Sequence, residues 1–287
     1  MHAVRRPLRL MKCLGVSWML LSGLLAGCAG SPSTPPADEA SAAVLERTIA
    51  GAHRTPAYTA RDRYRHPKET LLFFGFKLDL QIVEVWPGGG WYTEILAPAL
   101  NDHGRYIAAH YHRDDNSRPY RPKLRRRFLA KLAAQPERYG RVVVTELDPP
   151  QHVAIAPQGS ADLVLTFRNV HNWTKSGTDR AMFRAFYAAL KAGGVLGVVE
   201  HRARAGTSLE TMKRSGYMTE DYVIGLAEAA GFRLDARSAI NANPRDTTDH
   251  PKGVWTLPPT LRLKAVDRAK YLAIGESDRM TLRFVKP

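Results

Sequence analysis

Three consecutive glycines, Gly88, Gly89 and Gly90, follow a proline at the end of a short apolar run, and an apolar helical pattern follows them. A strand, a glycine-rich turn and a helix in that order expose backbone N–H groups and let a ligand approach the main chain closely. The same glycines also suit a tight turn with no ligand. Glu200 and His201 close another apolar run, which sets them on the rim of a sheet where open α/β folds bind ligands. His110 and His112 are two residues apart, with Asp114 and Asp115 behind them. On a strand both rings would share a face, as metal ligands do. No third ligand follows at a definite spacing, so no metal site is expected. Asp246, Asp249 and His250 occupy a polar stretch after Asn241 that either closes over a cleft or stays solvated. Neither a Gly-x-Ser-x-Gly elbow nor a phosphate-loop Gly-Lys-Ser/Thr pattern occurs, which leaves hydrolase and kinase readings without support.

The elements that must position these residues follow from periodicity and breakers. Strands are expected at Leu80 to Trp86, Gly104 to His110, Arg141 to Leu147, Ala161 to Phe167, Val195 to Glu200, Phe232 to Ile240 and Arg279 to Val285. Helices are expected at Ala43 to Gly51, within Thr59 to Gly75, and at Trp91 to Leu100, Lys123 to Gln135, Thr178 to Lys191 and Thr219 to Ala230, with Gly193-Gly194 ending the fifth of these. Alternation of strand and helix from Leu80 onward predicts an α/β fold: a doubly wound, mostly parallel seven-stranded sheet with N-terminal helices. No long helix fits between the last two strands, which suits a final antiparallel strand.

Val83-Glu84-Val85-Trp86-Pro87-Gly88-Gly89-Gly90-Trp91-Tyr92-Thr93 resembles the first motif of class I S-adenosylmethionine-dependent methyltransferases, an acidic residue followed by Gly-x-Gly-x-Gly. Glu84 takes the acidic place, Gly88 and Gly90 the second and third glycines, and Trp86 stands at the first. The resemblance continues through Asp162 to Trp173 (fourth strand and following loop), Leu190 to His201 (fifth strand) and Ala229-Ala-Gly-Phe232. It covers roughly Leu71 to Pro287 and is similar to a bacterial group of predicted methyltransferases with the Trp-Pro-Gly-Gly-Gly-Trp-Tyr-Thr variant. The resemblance implies a Rossmann-like methyltransferase fold with S-adenosylmethionine as cofactor, held by Glu84, Trp86, Pro87, Gly88, Gly89, Gly90, Tyr92, Thr93, His110 and Asn169. It implies that the loop after the fourth strand, with Asn169, His171, Asn172 and Trp173, lies near the transferred methyl. His171 is the candidate base, its ordinary pKa of ~6.5 suiting neutral pH, with Asn169, Glu200 and His201 beside it. A second departure from the pattern is His110, at the end of the second strand, where a carboxylate ordinarily binds the ribose hydroxyls. Three readings follow: a methyltransferase acting on a small-molecule or lipid acceptor, a methyltransferase fold that has lost catalysis and binds another ligand or a protein partner, or an enzyme of another class built on the same sheet. Trp86 and His110 favour the second, and the preserved Pro-Gly-Gly-Gly turn the first.

The first residues bear on where this happens. Arg5, Arg6, Arg9 and Lys12 precede an uncharged apolar run, Cys13 to Gly27, too short to span a ~30 Å hydrocarbon core comfortably. Leu25-Ala26-Gly27-Cys28 resembles a bacterial lipobox, which implies cleavage before Cys28, lipidation of its thiol and amine, and an anchor in the envelope. Ala at position 29 favours the outer membrane, facing the periplasm. Residues 1–27 are thus expected as signal peptide, 28–43 as a Ser/Pro/Ala-rich tether and 44–287 as one domain. The formal charge of +15 includes four cations of the signal, leaving +11 on the remainder. Such a surface suits anionic lipid, lipopolysaccharide phosphate or an acidic substrate, and export argues against nucleic acid. Part of the charge lies in Lys123, Arg125, Arg126 and Arg127, the pattern of a solvated helix face. S-Adenosylmethionine is made in the cytoplasm, so an exported enzyme would lack an evident supply.

Overall fold

In a computed structural model of the chain, the described residues are 39–115 and 117–287, with the isolated position 2. The expected signal segment, Cys28 and the tether as far as residue 38 lie outside them. The chain divides into a unit of residues 1–33 and a unit of residues 34–287, and all that follows concerns the second.

Four helices precede the sheet: α1 (Glu39–Ile49), α2 (Pro56–Thr59), α3 (Asp62–Arg65) and α4 (Pro67–Phe73). α1 begins inside the stretch whose composition reads as tether. Next come β1 (Gln81–Val85), α5 (Thr93–Leu100), β2 (Arg105–His110), α6 (Tyr120–Ala134), α7 (Pro136–Tyr139), β3 (Val143–Glu146) and β4 (Ala161–Phe167). The remainder is α8 (Val170–Ser176), α9 (Asp179–Ala189), β5 (Leu190–His201), α10 (Leu209–Ser215), α11 (Glu220–Ala229), β6 (Arg233–Ser238), α12 (Arg268–Ile274) and β7 (Arg279–Val285).

The seven strands run in the order β3-β2-β1-β4-β5-β7-β6. β1 pairs in parallel with β2 and β4, whereas β7 pairs antiparallel with both β5 and β6. The expected mostly parallel, doubly wound sheet with an antiparallel closing strand is therefore present. Alternation along the strands separates two cores. Val83, Val85, Ile107 and Val164 pack on one face against Phe183 and Phe186 of α9 and Ile224 of α11. Ile82, Ala108, Leu163 and Leu165 pack on the other against Leu45 of α1, Leu71 of α4 and Ile95 of α5. The strand order reverses between β1 and β4, and the carboxyl ends there open the crevice in which such sheets bind ligands.

Three features depart from the expectations. The segment after β4 is a short helix, α8, rather than a loop, and α10 and α12 add single short helices. Gly193-Gly194 does not end α9. Leu190 is already extended (φ −73°, ψ 142°) and pairs with Ala161, so the glycines belong to β5. Gly193 N–H donates to Lys286 O at 2.8 Å, a ladder contact made across to the residue after β7.

Candidate functional site

The glycine turn has the backbone that its residue types require. Gly88 and Gly90 take φ +62° and +84°, and Gly90 N–H closes onto Pro87 O at 2.9 Å. The turn's surroundings, however, are protein. Tyr58 donates its hydroxyl to Gly89 O at 3.0 Å, and a Cβ on Gly89 would stand 2.5 Å from that oxygen. A Cβ on Gly90 would meet Phe128 of α6 at 3.3 Å. His110 holds the turn from below: Nδ1 accepts from Tyr111 N–H at 2.8 Å, so Nε2 carries the proton and donates to Gly88 O at 3.2 Å. Burial pushes the His110 pKa down to about 4, and the ring stays neutral.

Trp86, at the place of the first glycine, also adopts a left-handed backbone (φ +48°). Its indole N–H donates to Leu147 O, just past β3, at 3.1 Å. The ring lies 4.8 Å from Tyr111 and 5.6 Å from Trp173, with the Arg121 guanidinium 4.6 Å over its face and only 6% of the residue exposed. The space over the ends of β1, β2 and β3 is therefore filled by the chain's own aromatic rings. The residues present do not fit an adenosyl group there. Glu84 and Thr93 are enclosed with Tyr106, whose hydroxyl bonds both; burial raises the Glu84 carboxyl to about 7. Tyr92 is stacked on Phe167 at 3.6 Å. Asn169 ties β4 to β1 through Nδ2–H to Val85 O at 3.0 Å.

An open cleft of about 250 Å³ lies beside this plug, at the ends of β4 and β5. His171, in the first turn of α8, bonds Glu200 Oε1 through Nδ1 at 3.0 Å, while its backbone N–H donates to Oε2 at 3.2 Å. His201 N–H donates to the same carboxylate at 2.8 Å. Glu200 thus acts as acceptor throughout, so His171 Nδ1 donates and Nε2 is left as an acceptor on the cleft wall. His201 is 5.2 Å from His171 ring to ring, and its Nδ1 lies 2.5 Å from Ser277 Oγ. Burial first, then the nearby Arg279 and Arg168 guanidiniums, hold its pKa well below the usual range.

Four arginines line the same cleft: Arg61, Arg65, Arg168 and Arg279. Arg61 Nε donates to Glu276 at 2.5 Å, Arg279 pairs with the same carboxylate, and Arg65 Nε stands 3.6 Å from it. Burial alone would raise the Glu276 carboxyl, but Arg279, Arg65 and Arg61 outweigh it and hold the group well below the carboxylate range. Arg65 is 2% exposed, yet its Nε and Nη1 make no hydrogen bond. Arg168 sits in a left-handed backbone (φ +59°) with its N–H bonded to Val199 O at 2.7 Å, and its guanidinium makes neither hydrogen bond nor ion pair with the described residues. Burial lowers its pKa to about 10, so it remains a cation at neutral pH. Three guanidiniums, those of Arg61, Arg65 and Arg279, crowd onto one carboxylate, Glu276, with Arg168 left over beside them, since Glu200 is turned to the histidines. His171, Glu200 and His201 offer ligand atoms within 4.8 Å of one another, but a cation would meet that arginine field, whereas an anion would relieve it.

The sequence-derived residues thus separate. His171, Glu200 and His201 come together, whereas the cofactor set is present on the turn but engaged with protein groups. Asp246 and His250 pair at 2.8 Å, and Asp246 also accepts from Tyr217 and from Asp278 N–H. They fix the loop ahead of Val254 and Trp255, which line the cleft. The arginines, Glu276 and Trp255 escape sequence reasoning. They arrive from separate segments, and only Arg168 adjoins a recognisable motif.

The strand order and flanking helices are those of the Rossmann-like methyltransferase fold. Among solved structures, a SAM-dependent methyltransferase from Aquifex aeolicus is similar at TM-score 0.52 and 13% identity over 86% of this chain and 98% of that one. The [4+2]-cyclase SpnF is similar at TM-score 0.52 and 16% identity, over 90% and 97% of the two chains. Phosphoethanolamine N-methyltransferase 2 of Haemonchus contortus, solved with S-adenosyl-L-methionine, gives TM-score 0.52 and 14% identity, over 85% of this chain and 60% of that one. No family model matches the chain, and no curated protein matches it.

Proposed function

We propose that this chain uses a methyltransferase fold to bind a small anion, a carboxylate or phosphate compound, in the arginine cleft, with His171 poised as proton acceptor. The observation that carries the reading is Arg168, whose guanidinium has no hydrogen-bond or ion-pair partner among the described residues, beside a buried Arg65 whose Nε and Nη1 make no hydrogen bond. Unpaired buried donors are costly, and guanidinium matches carboxylate and phosphate oxygens in pairs. Glu200 orients His171 so that Nε2 faces the bound molecule, where it can take a proton from a hydroxyl or an acidic C–H. The proposed export through lipidated Cys28 fits this reading, since the cleft then needs no cytoplasmic cofactor.

Methyl transfer from S-adenosylmethionine is the second reading, and the left-handed glycines of the turn support it. The two separate in one titration series, with inorganic phosphate, citrate and S-adenosylhomocysteine added in turn to the protein. The anion reading expects phosphate or citrate binding that weakens at least tenfold in Arg168→Ala, and no S-adenosylhomocysteine binding at millimolar concentration. Micromolar S-adenosylhomocysteine binding, abolished by Gly88→Val, would install the methyltransferase reading instead.

A further inference from the structure

A second cluster stands on the far flank of the sheet from the cleft, at the ends of β2 and β3. His110 and His112 do not act together as their spacing suggests: β2 ends at His110, which turns to Gly88, and His112 lies beyond the pleat. There His112 Nε2 is 3.2 Å from Glu146 Oε2, the last residue of β3. The third member, His152, is brought back by a two-way backbone bridge with Asp148, at 2.7 and 3.0 Å. Its ring lies 3.9 Å from that of His112, nearly parallel at 12°. One ligand atom from each of the three falls within 4.8 Å of the others, and all three are half-buried.

We propose that His112, Glu146 and His152 form a binding site for a divalent transition metal of the zinc class. Zinc bonds of ~2.0–2.1 Å in a tetrahedral set put neighbouring ligand atoms about 3.4 Å apart. The His112–Glu146 contact already has that spacing, and His152 needs only a small movement to join. The carboxylate is divided as metal-site carboxylates are. Its Oε1 accepts from Arg125 Nη2 at 3.0 Å and Arg113 Nε at 3.3 Å, which presents Oε2 to the histidines. Asp148 interacts electrostatically with both rings and offsets part of the arginine charge. Asp114 N–H donates to His112 Nδ1 at 3.3 Å, a long contact that gives way when Nε2 binds the metal and the ring proton sits on Nδ1. Two histidines and one carboxylate leave a fourth position for water. Glu146 and His152 are hidden in the sequence because they come from the end of another strand and from a turn.

The test is a calorimetric titration of zinc chloride into the metal-free protein, with thermal melts on the same samples. One zinc per chain at micromolar affinity or tighter, with a raised melting temperature, is the expected result. His112→Ala and His152→Gln should each weaken binding at least tenfold and remove the thermal shift, while their melts without zinc stay cooperative. His171→Ala should leave zinc affinity unchanged. Absence of binding at millimolar zinc overturns the site, as does binding that survives both substitutions or disappears in His171→Ala.

Discussion

Trp86 combines two opposed terms. A bulky residue at φ +48° costs of the order of 1–2 kcal/mol, while a buried indole with its N–H satisfied contributes more than that. Trp86→Gly relieves the first term and leaves a cavity, so urea denaturation should report a net loss of roughly 2–4 kcal/mol. If the indole stands where adenosine would lie, the same variant should gain affinity for S-adenosylhomocysteine; a variant as stable as wild type would refute the packing role. Glu84 makes a prediction in pH. Burial raises its carboxyl from 4.5 to about 7, so between those values the folded state keeps a proton that the unfolded state has released. Stability from this group is full below 4.5 and declines as pH rises through about 7. At ~1.4 kcal/mol per unit the decline is roughly 3 kcal/mol. Glu84→Gln should abolish it, seen as an unfolding free energy that improves against wild type between about pH 4 and 8. Burial of His110 acts with the opposite sign, but it is common to both proteins and cancels in the difference.

At the level of elements, the cleft is closed by the segment that starts at Gly253. This glycine has φ +56°, and a Cβ there would lie 2.1 Å from Ser215 O at the end of α10. Gly253→Ala must push the segment carrying Val254 and Trp255 away from α10. We expect about 1–3 kcal/mol lower stability and weaker phosphate or citrate binding in the same calorimetric assay. Unchanged affinity would mean that this segment is not part of the binding wall. Much of the frame was legible in the sequence, for physical reasons. Buried parallel strands such as Ala161–Phe167 are continuous apolar runs, and α9 shows its period in Phe183 and Phe186. Short helices such as α8 and α10 were not legible, because seven residues hold too few turns for a period to show. Site residues were legible where they adjoin strand ends, as His171, Glu200 and His201 do. Arg61, Arg65 and Arg279 were not, since nothing local separates a cleft arginine from the many solvated ones. The turn's glycines have the expected backbone, whereas the packing of Tyr58, Phe128 and Trp86 around it could not be read from the sequence.

At the scale of the whole chain, the +15 charge is partly consumed inside. Arg121 pairs with Asp115 at 2.7 Å, and Arg125 serves Glu146 and Tyr111 O, whereas Lys123, Arg126 and Arg127 stay on the exposed face of α6. The proposed anchoring through a lipidated Cys28 makes a prediction: Cys28→Ala should move the protein from the membrane fraction to the soluble one on sedimentation. Continued sedimentation with membranes would show that another feature holds it there. The topology also sets an order of events in synthesis. β7 is the last strand in chain order, yet it lies between β5 and β6 and supplies the pairing partner of both. Glu276 and Arg279, which complete the cleft, emerge only with it. A nascent chain ending near residue 275 therefore leaves β6 without its pairing partner and lacks two residues of the proposed anion cleft, which is the last thing the ribosome delivers.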